Sequence, residues 1–328
     1  MRETNVSAIS RTFVLGAGFS AGAGFPLVRN LKEQVIQHAQ ILPRCKAWFE
    51  PGNGGFEKGQ FYTGLEVVDP KGSLQFEEVL ITLRDHLKRA DGWDPCHRTL
   101  DALRDSCGQL LWKKQESIGR VPECYENFAH YWIGAYRFPG RGSAIVSFNW
   151  DLLAEKALTD SQVPWAYSHS RSAISILKPH GSINWNDHLR RDLKAEYSGW
   201  RPIGPDNKLS YDASNPLSNP DRDDINPDFR CMIFPGDRES AEDDADLQKI
   251  WEWAYKAISE REAIVFIGYS LPEYDGFSLD FFERVSVGKK IEVYNPSKEH
   301  LEKFRRLFGH TALLDPSKFE DSKYARRP

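Results

Sequence analysis

The chain has 328 residues, a net charge of -4, 40% apolar residues and 27% charged residues. That profile fits an ordinary globular protein with room for one large domain or two modest ones. The mild acidity gives no general electrostatic reason to bind nucleic acid or an anionic membrane. No apolar run nears the roughly 20 residues that span a bilayer.

Residues 1–11 are polar and lack the apolar core of a secretory signal. The five cysteines, Cys45, Cys96, Cys107, Cys124 and Cys231, are scattered and form no C-x-x-C pair. Neither a paired-cysteine zinc module nor a disulfide framework is expected, and a reducing, cytoplasmic setting fits.

In chain order, the first signal is Phe13-Val14-Leu15, a buried strand that drops into a turn of Gly16, Ala17, Gly18, Phe19, Ser20, Ala21, Gly22 and Gly24. Gly16-x-Gly18-x-x-Ala21 fits the dinucleotide pattern, in which glycine lets backbone approach a pyrophosphate and a helix start offers its N–H groups. A glycine-rich turn that merely joins strand to helix is the other reading of this loop.

Next comes a helical insertion, about residues 27–141. In it Phe76, Val79, Leu80, Leu83 and Leu87 recur at helical spacing, with weaker helical patterns over 31–39, 100–111 and 128–133. Its glycine-rich stretch 50–72 reads as a loop or flap.

Residues 144–148 (AIVSF), 174–177 (ISIL), 263–267 (AIVFI) and 291–294 (IEVY) are further strands. The first and third are almost wholly apolar, as expected when both faces are covered. Between them, Leu247, Ile250, Trp251, Ala254 and Ile258 mark an amphipathic helix, and 152–158 and 301–308 are weaker ones. Alternating strands and helices predict an α/β, Rossmann-like fold: a mostly parallel sheet covered on both faces, one domain over 1–328 with the helical insertion. Residues 185–230 are polar and read as a solvated excursion; the charged tail 318–328 reads as frayed.

Each apolar strand is followed by a polar cluster, where an open α/β sheet places its ligands. Asn149-Trp150-Asp151 follows the second strand and Lys178-Pro179-His180-Gly181-Ser182 the third. Gly268-Tyr269-Ser270-Leu271-Pro272-Glu273-Tyr274-Asp275 follows the fourth, and Asn295-Pro296 the last. Asn149 and Asp151 equally suit caps for the helix near Leu152. His180 could be a turn residue, Ser270 and Asp275 local turn or cap residues, and Tyr269 and Tyr274 packing residues.

In this order, GAGFSAGAGFP, SFNWDLLAE, LKPHGSINW, FIGYSLPEYD and VYNP resemble the sirtuin-like NAD-binding family. They are most similar to its bacterial branch associated with anti-phage defence, whose members hydrolyse NAD. The resemblance covers about residues 11–30, 143–186 and 262–297. It implies that Gly16, Ala17, Gly18, Phe19 and Ser20 cradle the pyrophosphate, and that Gly268, Ser270 and Asn295 contact phosphate and adenosine ribose. It further implies that Asn149 faces the nicotinamide ribose and positions water, that Asp151 orients nicotinamide or its loop, and that His180 is the general base. NAD⁺ is then the substrate, no metal is expected, and a homo-oligomer or a companion ATPase would supply control.

Cleavage of the N-glycosidic bond of NAD⁺ builds oxocarbenium-like charge on the ribose as neutral nicotinamide leaves. A histidine titrating near neutrality and an asparagine amide suit that chemistry. Two rival functions share the crevice: a regulatory module that binds NAD or ADP-ribose without turnover, and a transferase or deacylase acting on protein. Deacylases of the family carry a zinc module with paired cysteines and usually continue G-I-P-D-F-R. Here the run is Gly24-Phe25-Pro26-Leu27-Val28-Arg29, and the cysteine pairs are missing. No acidic residue stands where a dehydrogenase holds its ribose, since Glu33 falls inside a helical pattern.

Overall fold

The computed structural model describes residues 9–92, 94–134, 143–169, 173–183, 232 and 245–328. The excursion expected over 185–230 lies outside the described residues.

Seven strands form one sheet: β1 (Arg11–Leu15), β2 (Ala144–Ser147), β3 (Trp165–Ala166), β4 (Ile174–Leu177), β5 (Ala263–Ile267), β6 (Lys290–Tyr294) and β7 (Leu313–Asp315). Their order is β3-β4-β2-β1-β5-β6-β7, and every pairing is parallel. The chain steps from β1 outward to β2 and β4, then returns to the other side of β1 at β5. The order therefore reverses at β1, the point beyond whose carboxyl end sheets of this kind hold their ligands.

β1 shows why both faces must be covered. Phe13 packs edge-on against Phe128 and Tyr324 on one face. On the other, the Thr12 hydroxyl donates to the Ala257 carbonyl of the helix Ala245–Ser259. Alternation along the strand sends neighbouring side chains to opposite layers, and both are buried.

The insertion between β1 and β2 opens with the short α1 (Ala17–Ser20). It continues with α2 (Val28–Ile41), α3 (Pro43–Phe49), α4 (Gln60–Val68), α5 (Phe76–Leu87), α6 (Cys96–Ser117) and α7 (Glu123–Asn127). A π-helix over Phe128–Gly134 follows. After β2 come α8 (Leu153–Asp160), α9 (Ala245–Ser259), α10 (Gly276–Val285) and α11 (Lys298–Phe308). α5 begins with a reciprocal capping box between Gln75 and Glu78.

Two expectations change. The stretch 50–72 holds the helix α4, whose Phe61 is fully buried and stacks on Phe49. Its Gly64 is a contact point with α6: a Cβ there would stand 2.3 Å from the Thr99 hydroxyl. The tail is anchored by Phe319 and Tyr324, both buried, and Phe319 packs on Phe19 and Tyr125. Among the described residues, no helix is long and apolar enough to cross a membrane.

Candidate functional site

The glycine loop is shaped by its neighbour. Gly16 N–H donates to Ile267 O and Gly18 N–H to Gly268 O, both at 3.0 Å. A Cβ on Gly16 would lie 2.5 Å from Tyr269 Cα, and one on Gly18 2.7 Å from Gly268 Cα. Gly268 itself sits at φ +62°, where L side chains are strained. The glycines are therefore required by close approach of two backbone loops. That approach occupies two N–H groups expected to face a phosphate, and α1, at four residues, has little dipole to add. Ala17 and Gly18 are half-buried, Phe19 and Ser20 are buried, and the exposed residues of the loop are Gly22 and Gly24.

Ser20 and Asn149 join this loop to the end of β2. Asn149 Nδ2 donates to Gly16 O at 2.9 Å and to Ser20 Oγ at 3.1 Å. Both amide hydrogens are thus committed, and Oδ1 is the acceptor left for a ligand. The Ser20 hydroxyl in turn donates to Asp151. Asp151 Oδ1 also accepts the Leu153 N–H at 3.0 Å, so the carboxylate caps the start of α8 as one of its two readings has it. Burial pushes the Asp151 carboxyl above its ordinary value, against the pull of Lys178, the Leu153 N–H and the Ser20 hydroxyl.

His180 closes the crevice from β4. Its Nε2 lies 3.3 Å from Asp275 Oδ2, close enough for a charge contact but off the line of a good hydrogen bond. Its ring meets Phe148 edge-on at 4.8 Å, and its carbonyl accepts the Trp150 indole N–H. Asp275 is the N-cap of α10, accepting the Ser278 N–H. Burial would raise its carboxyl, but the facing His180 and the Ser278 hydrogen bonds outweigh that and hold it below its ordinary value. A proton on Nε2 directed at Asp275 leaves the lone pair on Nδ1.

Below these loops lies a group that the sequence reading did not single out. Lys178 is wholly buried, and its ammonium donates to Asp151 O at 2.6 Å, Ser182 Oγ at 2.8 Å and Glu155 Oε1 at 3.0 Å. Glu155 also accepts from the Tyr167 hydroxyl. A lysine ending an apolar strand was the available signal. Its partner on α8, 23 residues earlier, was not visible in any local pattern.

From the insertion, Gln115 Oε1 accepts the Leu152 N–H, and Glu77 bonds Tyr274, the residue before Asp275. Burial raises the Glu77 carboxyl to about 7, although its own N–H and Tyr274 pull it down.

The structure thus links Gly16, Gly18, Gly268, Ser20, Asn149 and Asp151 through hydrogen bonds, with His180 nearby against Phe148 and Asp275. Asn295 serves the scaffold: Nδ2 donates to Tyr269 O and Oδ1 accepts the Ser297 N–H. Ser270 lies in the same loop, half-buried, beside Leu271 at φ +52°. No protein-family model matches the chain, and no curated protein matches it.

Proposed function

We propose that the protein is an NAD⁺ glycohydrolase that splits NAD⁺ and water into nicotinamide and ADP-ribose. The observation that carries this reading is an Asn149 amide, fixed by Gly16 O and Ser20 Oγ, and a His180–Asp275 couple, with Asn149 and His180 following the neighbouring strands β2 and β4 beside the sheet's switch point. Asn149 Oδ1 would hold the nicotinamide ribose or the attacking water. His180, oriented by Asp275, would take the proton as the water oxygen bonds to the ribose C1′ and the glycosidic electron pair leaves with nicotinamide. The pyrophosphate would lie against the half-buried stretch Ala17–Gly18. The phage-defence role, the cytoplasmic setting, the homo-oligomer and the companion ATPase belong to the same proposal and rest on the resemblance of motifs.

Product analysis tests the reaction type. The purified protein is incubated with NAD⁺ and the mixture is separated by chromatography. Equal amounts of nicotinamide and ADP-ribose support hydrolysis. ADP-ribose attached to protein would favour a transferase, and calorimetric binding of NAD⁺ that stays intact for hours would favour a regulatory module.

A further inference from the structure

We propose that His86, Asp94 and Cys96 form a binding site for a zinc-class transition metal that ties the end of α5 to the start of α6. A ring nitrogen of His86, a carboxylate oxygen of Asp94 and the Cys96 sulfur all lie within 4.8 Å of one another. His86 Nε2 is 2.9 Å from Asp94 Oδ2. The other carboxylate oxygen, Oδ1, caps the helix by accepting the Cys96 N–H at 2.8 Å, so one Asp94 oxygen holds the loop while the second, paired with His86, would exchange that hydrogen bond for a shared ion.

The donor set selects the ion. One thiolate, one imidazole and one carboxylate suit Zn²⁺ and its neighbours and disfavour Mg²⁺ and Ca²⁺, which take oxygen. Three protein ligands leave a fourth position for water. The geometry provides a route in, because the His86 and Asp94 side chains are 36% and 21% exposed while Cys96 closes the inner side.

Cys96 stands at the first turn of a 22-residue helix; its thiol donates to Gly64 O at 3.6 Å, and burial together with the neighbouring Asp94 pushes it up to about 12, so a bound cation has to displace that proton. On binding, the sulfur proton leaves to solvent and the His86 proton moves from Nε2 to Nδ1. One proton is released per ion, and affinity rises with pH. The absence of cysteine pairs led to the expectation of no metal. A site with one cysteine and ligands on either side of a loop has no such spacing signature.

The proposal stands apart from the glycohydrolase reading, since His86 and Glu77 lie at opposite ends of α5. Cobalt titration of the chelator-stripped full chain tests it directly. One equivalent of Co²⁺ should produce a near-ultraviolet thiolate-to-metal band and intense tetrahedral d–d bands, both erased by Zn²⁺. Zn²⁺ should also raise Tm.

His86→Ala, at a half-exposed position that does not threaten the fold, should weaken Co²⁺ binding by more than about 100-fold, beyond the effect of losing an outer-sphere partner. Cys96→Ser should abolish the charge-transfer band. An absent band, a band that persists in Cys96→Ser, or unchanged affinity in His86→Ala overturns the proposal. His86, Asp94 and Cys96 would then be an ion pair and a helix cap beside a buried thiol.

Discussion

Replacing Lys178 by methionine removes the cation beneath the loops and leaves the Glu155 carboxylate buried with, among the described residues, the Tyr167 hydroxyl as its hydrogen-bond partner. Both side chains of the pair are essentially inaccessible, at 0% and 1% exposure, so water cannot replace the lost partner. Breaking a buried pair on one side costs about 3–5 kcal/mol. For a chain of 328 residues that corresponds to roughly 4–7 °C in Tm. Lys178→Met/Glu155→Gln, which removes the stranded charge and keeps a partner for Tyr167, should recover most of the loss. The assay is urea unfolding of the wild type, the single variant and the double variant. A single variant within about 0.5 kcal/mol of wild type, or a double variant no more stable than the single, would refute the reasoning.

Glu77, raised to about 7, should make wild-type stability fall by about 3 kcal/mol as pH climbs from its unfolded value near 4.5 to about 7. Glu77→Gln should flatten that slope, as urea midpoints across pH will read. Gly18→Ala forces a Cβ to 2.7 Å from Gly268 Cα and should cost about 1–3 kcal/mol. Gly276→Ala, with open space around its Cβ, should be neutral or stabilise by up to about 1 kcal/mol, and thermal melts compare the two. Phe319→Ala should cost about 3–5 kcal/mol, because its ring is buried against Phe19, Tyr125 and Phe128; hydrogen exchange should rise at the glycine loop that Phe19 anchors.

The sheet was legible where strands are long and apolar on both faces, as in 144–147 and 263–267. Such runs have few other uses in a chain punctuated by glycine turns. Trp165–Ala166 and Leu313–Asp315 escaped notice because two or three residues carry no periodicity. α4 was hidden by its own glycines: Gly59 and Gly72 do take positive φ, but Gly64 is there to let α6 approach. Charge in the tail masked two aromatic anchors spaced five residues apart, Phe319 and Tyr324.

At the site, the sequence named the residues that end the strands but gave some of them other tasks. Gly16 and Gly18 spend their N–H groups on the β5 end, Ser20 is a buried bridge, and Asn295 holds a loop. Glu155 and Glu77 act through contacts that exist only after folding, so no linear pattern announced them, and Lys178 was marked only by its place at the end of an apolar strand.

The most direct measurement is the rate of nicotinamide release from NAD⁺ by wild type and by His180→Ala, with Tm confirming that both are folded. The wild type should turn NAD⁺ over and the variant should lose about 10²–10⁴-fold in rate, the usual share of a general base. Release at an undiminished rate by folded His180→Ala would contradict it.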